Sequence, residues 1–239
     1  MEAELCRALC DDLDQLIRLH DRELDAETLA ALRESSFPEG LALLPEGDAA
    51  TFAVENMRRA LTENLTLDEL AADFAAIYLN NALGASPYES VWLSDDHLAC
   101  SAPMFELRDL YAAAGLRVAN RRSRFDDHLV LQLQYLRLVL ERSPVDPEKT
   151  ANFIDEHIGY WFPDFAQRVS RQCDTAFYAA LVELTHVWLQ RFRALFDEIH
   201  GLTVPPRNVI GQRINRKLAL EKADVAPIKF VPGAQGASW

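Results

Sequence analysis

The chain has 239 residues, 49% of them hydrophobic, so it can bury a sizeable core as one large domain or two small ones. Its net charge of −13 disfavours nucleic-acid binding, which needs a basic surface, and suits a basic peptide partner. No apolar run approaches the ~18 residues of a membrane span, and the N-terminus does not resemble a signal peptide. We therefore expect a cytoplasmic protein with reduced cysteines.

Helical patterns fill most of the chain, because Ala, Leu, Glu and Arg are plentiful and alternating β-branched residues are scarce. Leucines at helical spacing predict a first helix near the N-terminus. A second helix is predicted over 26–34, before the breaker at 37–40, and a third over about 48–63. Thr66 and Glu69 then have the spacing of a capping box, which predicts that another helix begins after Thr66.

A long interruption follows at residues 80–103, where glycine and prolines break the helical pattern. A connection of this length inside a compact domain is often functional. It carries two large aromatic residues, Tyr88 and Trp92, which a simple connection does not need. The next helix is predicted over about 103–114, with Gly115 as its C-terminal cap.

A central, buried helix is predicted from Ser123 to about 142, because apolar residues cover most of its circumference. Further helices are predicted over roughly 147–159, 163–172 and 174–199. The whole pattern predicts an all-α fold.

Two acids and a histidine lie directly before that central apolar run, in the stretch SRFDDHLVLQL. Consecutive helical residues diverge by about 100°, so Asp126, Asp127 and His128 cannot all face one metal ion. No histidine pair has a ligand spacing, and no metal or cofactor is expected. The sequence has no GxSxG, GxxxxGK[ST] or GxGxxG motif. One aspartate is predicted to be the N-cap of the helix, which leaves the other aspartate and the histidine for a further role.

Four segments in order resemble the TorD/DmsD/NarJ-type family of cytoplasmic chaperones for molybdenum redox enzymes. Residues 87–93, PYESVWL, are similar to the family's aromatic loop, and residues 104–116 are similar to its (E/L)xRxxYxxxGL helix. Residues 127–136 match the DHxxxxLxx part of its signature. The fourth segment runs from His157 through Trp161 and Phe165 to Phe177-Tyr178. The resemblance covers about residues 60–200, but Arg124-Phe125 stands where the family usually has Glu-Pro.

This resemblance implies a single-domain helical bundle of the TorD-like type over residues 1–204, without enzymatic activity. It implies a chaperone for a molybdopterin-containing oxidoreductase, present as a monomer or a homodimer. The partner would be the precursor of the catalytic subunit, bound through its twin-arginine signal peptide or its body until the cofactor is inserted. The implied peptide-binding residues are Asp126, Asp127, His128, Tyr88, Trp92 and Trp161.

The residue types suit that role, since carboxylates pair with guanidinium groups and aromatic rings offer an apolar or cation–π surface. An alternative is that His128 holds the loop by a hydrogen bond and does not touch the peptide. Two other classes stay open, namely a nucleotide hydrolase and a permanent structural subunit of a redox complex.

The C-terminal segment, residues 205–239, has no counterpart in the family pattern. Its six Lys and Arg against two acidic residues give it a net charge of +4, which leaves −17 on residues 1–204. A mobile, solubilising tail is one interpretation. A second hypothesis is that the tail folds back on the acidic body and occupies the peptide groove, because it repeats the basic-then-apolar order of a signal peptide. The residues in that order are Arg213, Arg216, Lys217, Leu218 and Leu220.

Overall fold

The computed structural model describes residues 2–35, 37–44, 47–63, 65–94, 96–119, 124–142 and 144–224. Its helices are α1 (Ala3–Asp21), α2 (Ala26–Glu34), α3 (Asp48–Thr62), α4 (Leu67–Phe74), α5 (Glu89–Leu93), α6 (Ala102–Ala113), α7 (Leu129–Glu141), α8 (Pro147–Glu156), α9 (Ile158–Gln172), α10 (Ala176–His200) and α11 (Arg207–Asp224). A π-helical segment, Ala75–Leu79, continues α4. No strand occurs in these ranges, so the predicted all-α fold is confirmed.

The helices form one bundle around α10, which packs against α3, α8 and α9, while α1 packs along α7. Large aromatic side chains of α9 and α10 fill the centre, where burial of apolar surface supplies the main stabilising free energy. The fully buried aromatic residues are Trp161, Trp188, Tyr178, Phe162, Phe165, Phe177, Phe192 and Phe196. The site described below lies where α5, α6, α7 and α9 approach one another.

Local signals fixed several helix ends as predicted. The capping box is present, since the Thr66 hydroxyl accepts from the Glu69 amide and the Glu69 carboxylate accepts from the Thr66 amide. Gly115 follows the end of α6 with φ of +71°, a conformation that favours glycine.

Two predicted helix starts were wrong. Helix α7 begins at Leu129 and not near Ser123, and its N-cap is His128 and not an aspartate. Helix α9 begins at Ile158 and contains Pro163 in its interior, although the proline was expected to start the helix. Burial of the large side chains on either side of Pro163 outweighs the loss of one backbone hydrogen bond, because tertiary packing overrides local propensity.

The segment after residue 204 forms helix α11, which packs against α6, α8 and α9. Ile210 and Ile214 are buried against the body. This packing agrees with the part of the second hypothesis in which the tail folds back on the body, whereas a wholly mobile tail does not describe residues 207–220. Occupation of the peptide groove stays a prediction. Residues 225–239 lie outside the described ranges, and the domain division after residue 204 stays a prediction.

Candidate functional site

The loop before α5 is fastened to the segment before α7 by main-chain hydrogen bonds. The Leu129 amide donates to the Pro87 carbonyl at 2.8 Å, and the Glu89 amide donates to the Asp127 carbonyl at 3.2 Å. Between these bonds, Tyr88 and His128 form an isolated antiparallel bridge. We call residues 87–90 together with 126–129 the loop clamp. It fixes the aromatic loop onto the start of the central helix, although the two segments are about forty residues apart in sequence.

Asp127 strengthens the clamp from inside the protein. Its Oδ2 accepts a hydrogen bond from the Ser90 amide at 2.9 Å, so it caps α5 and not its own helix. Burial raises the pKa of the Asp127 carboxyl above its ordinary value, and the bonds from Ser90 oppose that rise.

His128 acts as the N-cap of α7, because its Nδ1 accepts from the Val130 amide at 3.1 Å. Burial lowers the pKa of His128 well below its ordinary value, so the ring is neutral near pH 7. Its edge meets the Tyr88 ring, with the two centroids 4.9 Å apart. The same histidine therefore starts the helix and supports the aromatic loop residue.

Asp126 ties the clamp to helix α6. Its Oδ2 accepts from Arg108 Nη2 at 2.9 Å and from Nε at 3.3 Å. The hydrogen bond that Arg108 donates to Asp126 raises the pKa of the Arg108 guanidinium. The guanidinium carbon also lies 5.1 Å from the centroid of the Phe105 ring, a cation–π distance.

A buried polar network that the sequence interpretation missed lies beneath the clamp. Gln132 donates to Glu89 Oε2 at 2.9 Å and to the Asp127 carbonyl at 3.0 Å, and it accepts from Trp161 Nε1 at 3.3 Å. Glu89 Oε1 lies 2.9 Å from His157 Nδ1. A glutamine inside a leucine-rich helix face was the one sequence signal that could have predicted this network, because a buried polar group needs partners.

The Glu89–His157 pair is buried, and both burial and the contact between the two groups shift their pKa values. Burial raises the pKa of Glu89, although the neighbouring His157 opposes the rise. Burial alone would lower the pKa of His157, but the Glu89 carboxylate more than offsets this, and the pKa is raised. Both groups therefore hold protons more tightly in the folded protein than in the unfolded chain.

The six predicted peptide-binding residues divide into two groups. The side chains of Asp126, Asp127, His128 and Trp161 are each at most 2% exposed. Their bonds hold the loop and the bundle together, and none of them offers a free face to a peptide in this conformation. Tyr88 and Trp92 are half-buried and reach the surface. Trp92 donates its indole N–H to the Ser86 carbonyl at 2.8 Å.

The surface beside the clamp carries further apolar side chains. Leu98 in the loop after α5 and Phe105 on α6 are 61% and 48% exposed. The guanidinium of Arg168 lies 5.6 Å from the Trp92 ring centroid. Together with Arg108 over Phe105, this places an arginine of the chain against each of two aromatic rings of this surface. Exposed aromatic side chains next to guanidinium groups are typical of peptide-binding surfaces.

Within the described ranges, no three His, Cys, Asp or Glu side chains come together as a possible metal-ligand set. Over those same ranges, no helix combines the length and the apolar character needed to cross a bilayer.

The fold and the clamp define a helical protein whose buried polar residues hold an aromatic loop at the surface. Comparison with known proteins agrees with the motifs: the family model described as nitrate reductase delta subunit matches residues 45–167. The chain belongs to that family, and the resemblance predicted from the sequence is confirmed.

Curated relatives of the chain are named chaperone protein TorD. The protein from Vibrio cholerae (strain O395) is 29% identical over 141 residues, which cover 55% of this chain and 64% of that protein. The chain thus spans less than two thirds of that relative's length. The Shewanella oneidensis protein is 28% identical over 193 residues, or 77% of this chain and 88% of the relative. The Escherichia coli O45:K1 protein is 28% identical over 190 residues, or 73% and 89%. By name, these relatives are chaperones.

Replacing Asp127 with alanine is expected to lower the free energy of unfolding by about 1–3 kcal/mol, because the buried Ser90 amide loses its acceptor. Asp127→Asn should cost clearly less, since an amide oxygen can accept the same bond. Urea unfolding of the three proteins measures this. Equal losses in the two variants would show that the Ser90 bond does not carry the effect.

Proposed function

We propose that this protein is a cytoplasmic chaperone that binds the precursor of a molybdopterin-containing oxidoreductase and helps its cofactor insertion before export. It acts by binding and has no catalytic residues. The client segment is the twin-arginine signal peptide of the catalytic subunit. The loop clamp carries this proposal, because it holds the family's aromatic loop in one conformation at the surface.

The chemistry of the surface supports the signal peptide as the ligand. Such a peptide offers arginines followed by an apolar stretch. The half-buried rings of Tyr88 and Trp92 and the exposed ring of Phe105 can receive both parts, since aromatic faces attract guanidinium groups and bury apolar side chains. The charge of −17 on residues 1–204 attracts a basic peptide at long range. In this proposal the Asp127–His128 pair positions the loop and does not contact the peptide.

Capture from the native cytoplasm tests the proposal. The tagged full chain is used as bait, and bound proteins are identified by mass spectrometry. Recovery of a molybdopterin oxidoreductase precursor that keeps its twin-arginine leader supports the chaperone function and names the client. Recovery of the mature enzyme without its leader would instead support a permanent subunit. A preparation that returns neither would contradict the proposal.

Phe105→Ser is expected to weaken binding of that leader peptide about tenfold. This is the loss of affinity typical of removing one aromatic side chain from a binding interface. Phe52→Ser is the matched control. Phe52 is 57% exposed on α3, beside a different cavity shared with α9 and α10. Titration of a labelled leader peptide with each variant measures the effect. Equal affinities for the two variants would remove Phe105 from the binding surface.

A further inference from the structure

The ammonium group of Lys217, on helix α11, rests between two carboxylates of the body. Its Nζ donates to Glu106 Oε1 on α6 and to Glu156 Oε2 at the end of α8, both at 2.6 Å. Arg213 Nη1, one turn earlier, lies 3.6 Å from Glu156 Oε1. Glu106 and Glu156 form what we call the acidic pair. It binds a cation supplied by the chain's own C-terminal segment.

A cavity with a mixed apolar and polar lining lies beside the next residues of α11. The cavity has a volume of about 510 Å³ and lies between the α5–α6 connection and α11. On the body side it is lined by Leu93, Ala102 and Pro103 together with the polar Ser94, Asp96 and Ser101, and on the α11 side by Leu218 and Ala219 with Asn215. Helix α11 therefore places a basic residue on two carboxylates and the following apolar residues against the apolar part of this cavity.

The contact between α11 and the body is weakest in this part of the helix. Within residues 207–220 of α11, the buried apolar residues are Ile210 and Ile214, both in the first half of the helix. Beyond Ile214, Lys217 and Leu218 are only half-buried, and Leu220 is 61% exposed. A half-exposed ion pair contributes little net stability, so this end of the helix can leave the body at low cost.

The order of chemistry on α11 is the order that the proposed client presents, namely positive charge followed by apolar side chains. We propose that the acidic pair and the adjoining cavity are a binding site for a basic-then-apolar peptide segment, and that α11 occupies this site until such a segment displaces it. The identification of the displacing segment as a client's leader peptide rests on the proposed function. Occupation by α11 does not, because both partners belong to this chain.

The site is also connected to the loop clamp. Glu106 Oε1 lies 4.0 Å from His157 Nε2, and the other ring nitrogen of His157 is bonded to Glu89. Glu106 follows the exposed Phe105 on α6. Glu106 of the acidic pair and Phe105 of the aromatic surface are thus adjacent residues of α6, where the two places meet.

Opening the site by charge reversal at Lys217 tests the proposal in the full chain. The probe is a fluorescently labelled synthetic peptide with the sequence of residues 207–224. If α11 occupies the site in about nine of ten molecules, Lys217→Glu should bind the probe about tenfold more tightly than the wild type. Adding Glu106→Gln and Glu156→Gln to that variant should abolish the gain.

Arg216→Glu is the matched control, because it makes the same charge change one residue away. Arg216 is exposed and makes no ion pair with any described residue, so this variant should bind the probe like the wild type. An equal gain in both variants would show a general charge effect and overturn the proposal. The proposal would also be overturned if Lys217→Glu and the wild type bound the labelled peptide equally, or if neither bound it. None of these results bears on client capture, which tests the proposed function separately.

Hydrogen exchange on the wild-type protein gives a second test of displacement without any substitution. Saturating unlabelled probe, added to the wild type, should speed amide exchange in residues 215–220, because the displaced end of α11 becomes exposed. Exchange in α10 should stay unchanged. Unchanged exchange at 215–220 with probe bound would place the peptide elsewhere and contradict displacement.

Discussion

Replacing Glu89 with alanine is expected to lower the free energy of unfolding by about 3–5 kcal/mol, the range for removing one partner of a buried ionisable pair. The substitution leaves His157 Nδ1 without its acceptor in a fully buried place, and Gln132 Nε2 keeps only its bond to the Asp127 carbonyl. It also opens a void beneath the loop clamp. Urea unfolding followed by far-ultraviolet circular dichroism measures the loss.

Two further variants separate the network from the general effect of losing a carboxylate. Glu63→Ala, at the exposed end of α3, should change stability by less than about 0.5 kcal/mol. Glu89→Gln should fall between wild type and alanine, because one amide oxygen can replace only one of the two acceptors. A loss below about 1 kcal/mol in Glu89→Ala would mean that the network contributes little.

The same variant reports on the link between the network and function. Glu89 is the residue that joins the aromatic loop to α9 through His157, and its amide also bonds to the Asp127 carbonyl. Removing it should loosen the loop, so leader-peptide binding should weaken in addition to the loss of stability. A loss of both stability and peptide binding would mark Glu89 as a residue that orders the loop. A loss of peptide binding alone is expected for a surface residue such as Phe105.

Sequence patterns predicted the helices best where the signals were local. The range predicted for the second helix, 26–34, is the range of α2, and the capping box at Thr66 is present. Both signals depend on residues within one or two helical turns. The all-α class follows from many such signals together.

The candidate site could be predicted only in part, because its bonds join distant segments. The motif Asp127-His128 was found from its residues, but the partner of Asp127 is Ser90, which no spacing rule connects to it. The predicted aspartate N-cap was wrong for this reason. The Asp127 side chain accepts from the Ser90 amide, and His128 is the N-cap of α7. Glu89 was missed because a glutamate in a loop looks like a solvated charge until the fold encloses it.

Helix α11 was read as a tail because its sequence is polar and begins after two prolines. Its attachment depends on complementary charge and on two isoleucines, and neither forms a pattern visible without the body. The negative charge of the body was visible from composition alone, but its concentration at Glu106 and Glu156 needed the arrangement of α6 beside α8. The opposite net charges thus predicted that the C-terminal segment and the body attract each other. Only the fold showed that the contact is made at Glu106 and Glu156.

The second large effect is expected for Asp155→Ala, which should lower the free energy of unfolding by about 3–5 kcal/mol. The guanidinium of Arg193 on α10 bonds to both Asp155 oxygens, at 2.7 and 2.9 Å, and both residues are buried. Without Asp155, a charged group stays in the interior without its counter-ion. The double variant Asp155→Ala with Arg193→Leu should lose less than the single one, because it leaves no buried charge.

The same pair also lies next to the connection between α10 and α11. Arg193 donates to the carbonyls of Leu202 and Thr203, at 2.8 and 3.5 Å, and so fixes the connection between α10 and α11. Asp155→Ala frees the guanidinium to move, so amide exchange in α11 should speed up even where the rest of the bundle stays protected. Hydrogen exchange at low denaturant measures this. If α11 exchanges at the wild-type rate while global stability falls, the Arg193 bonds do not hold the connection, and Lys217 with the two isoleucines is sufficient to dock the helix.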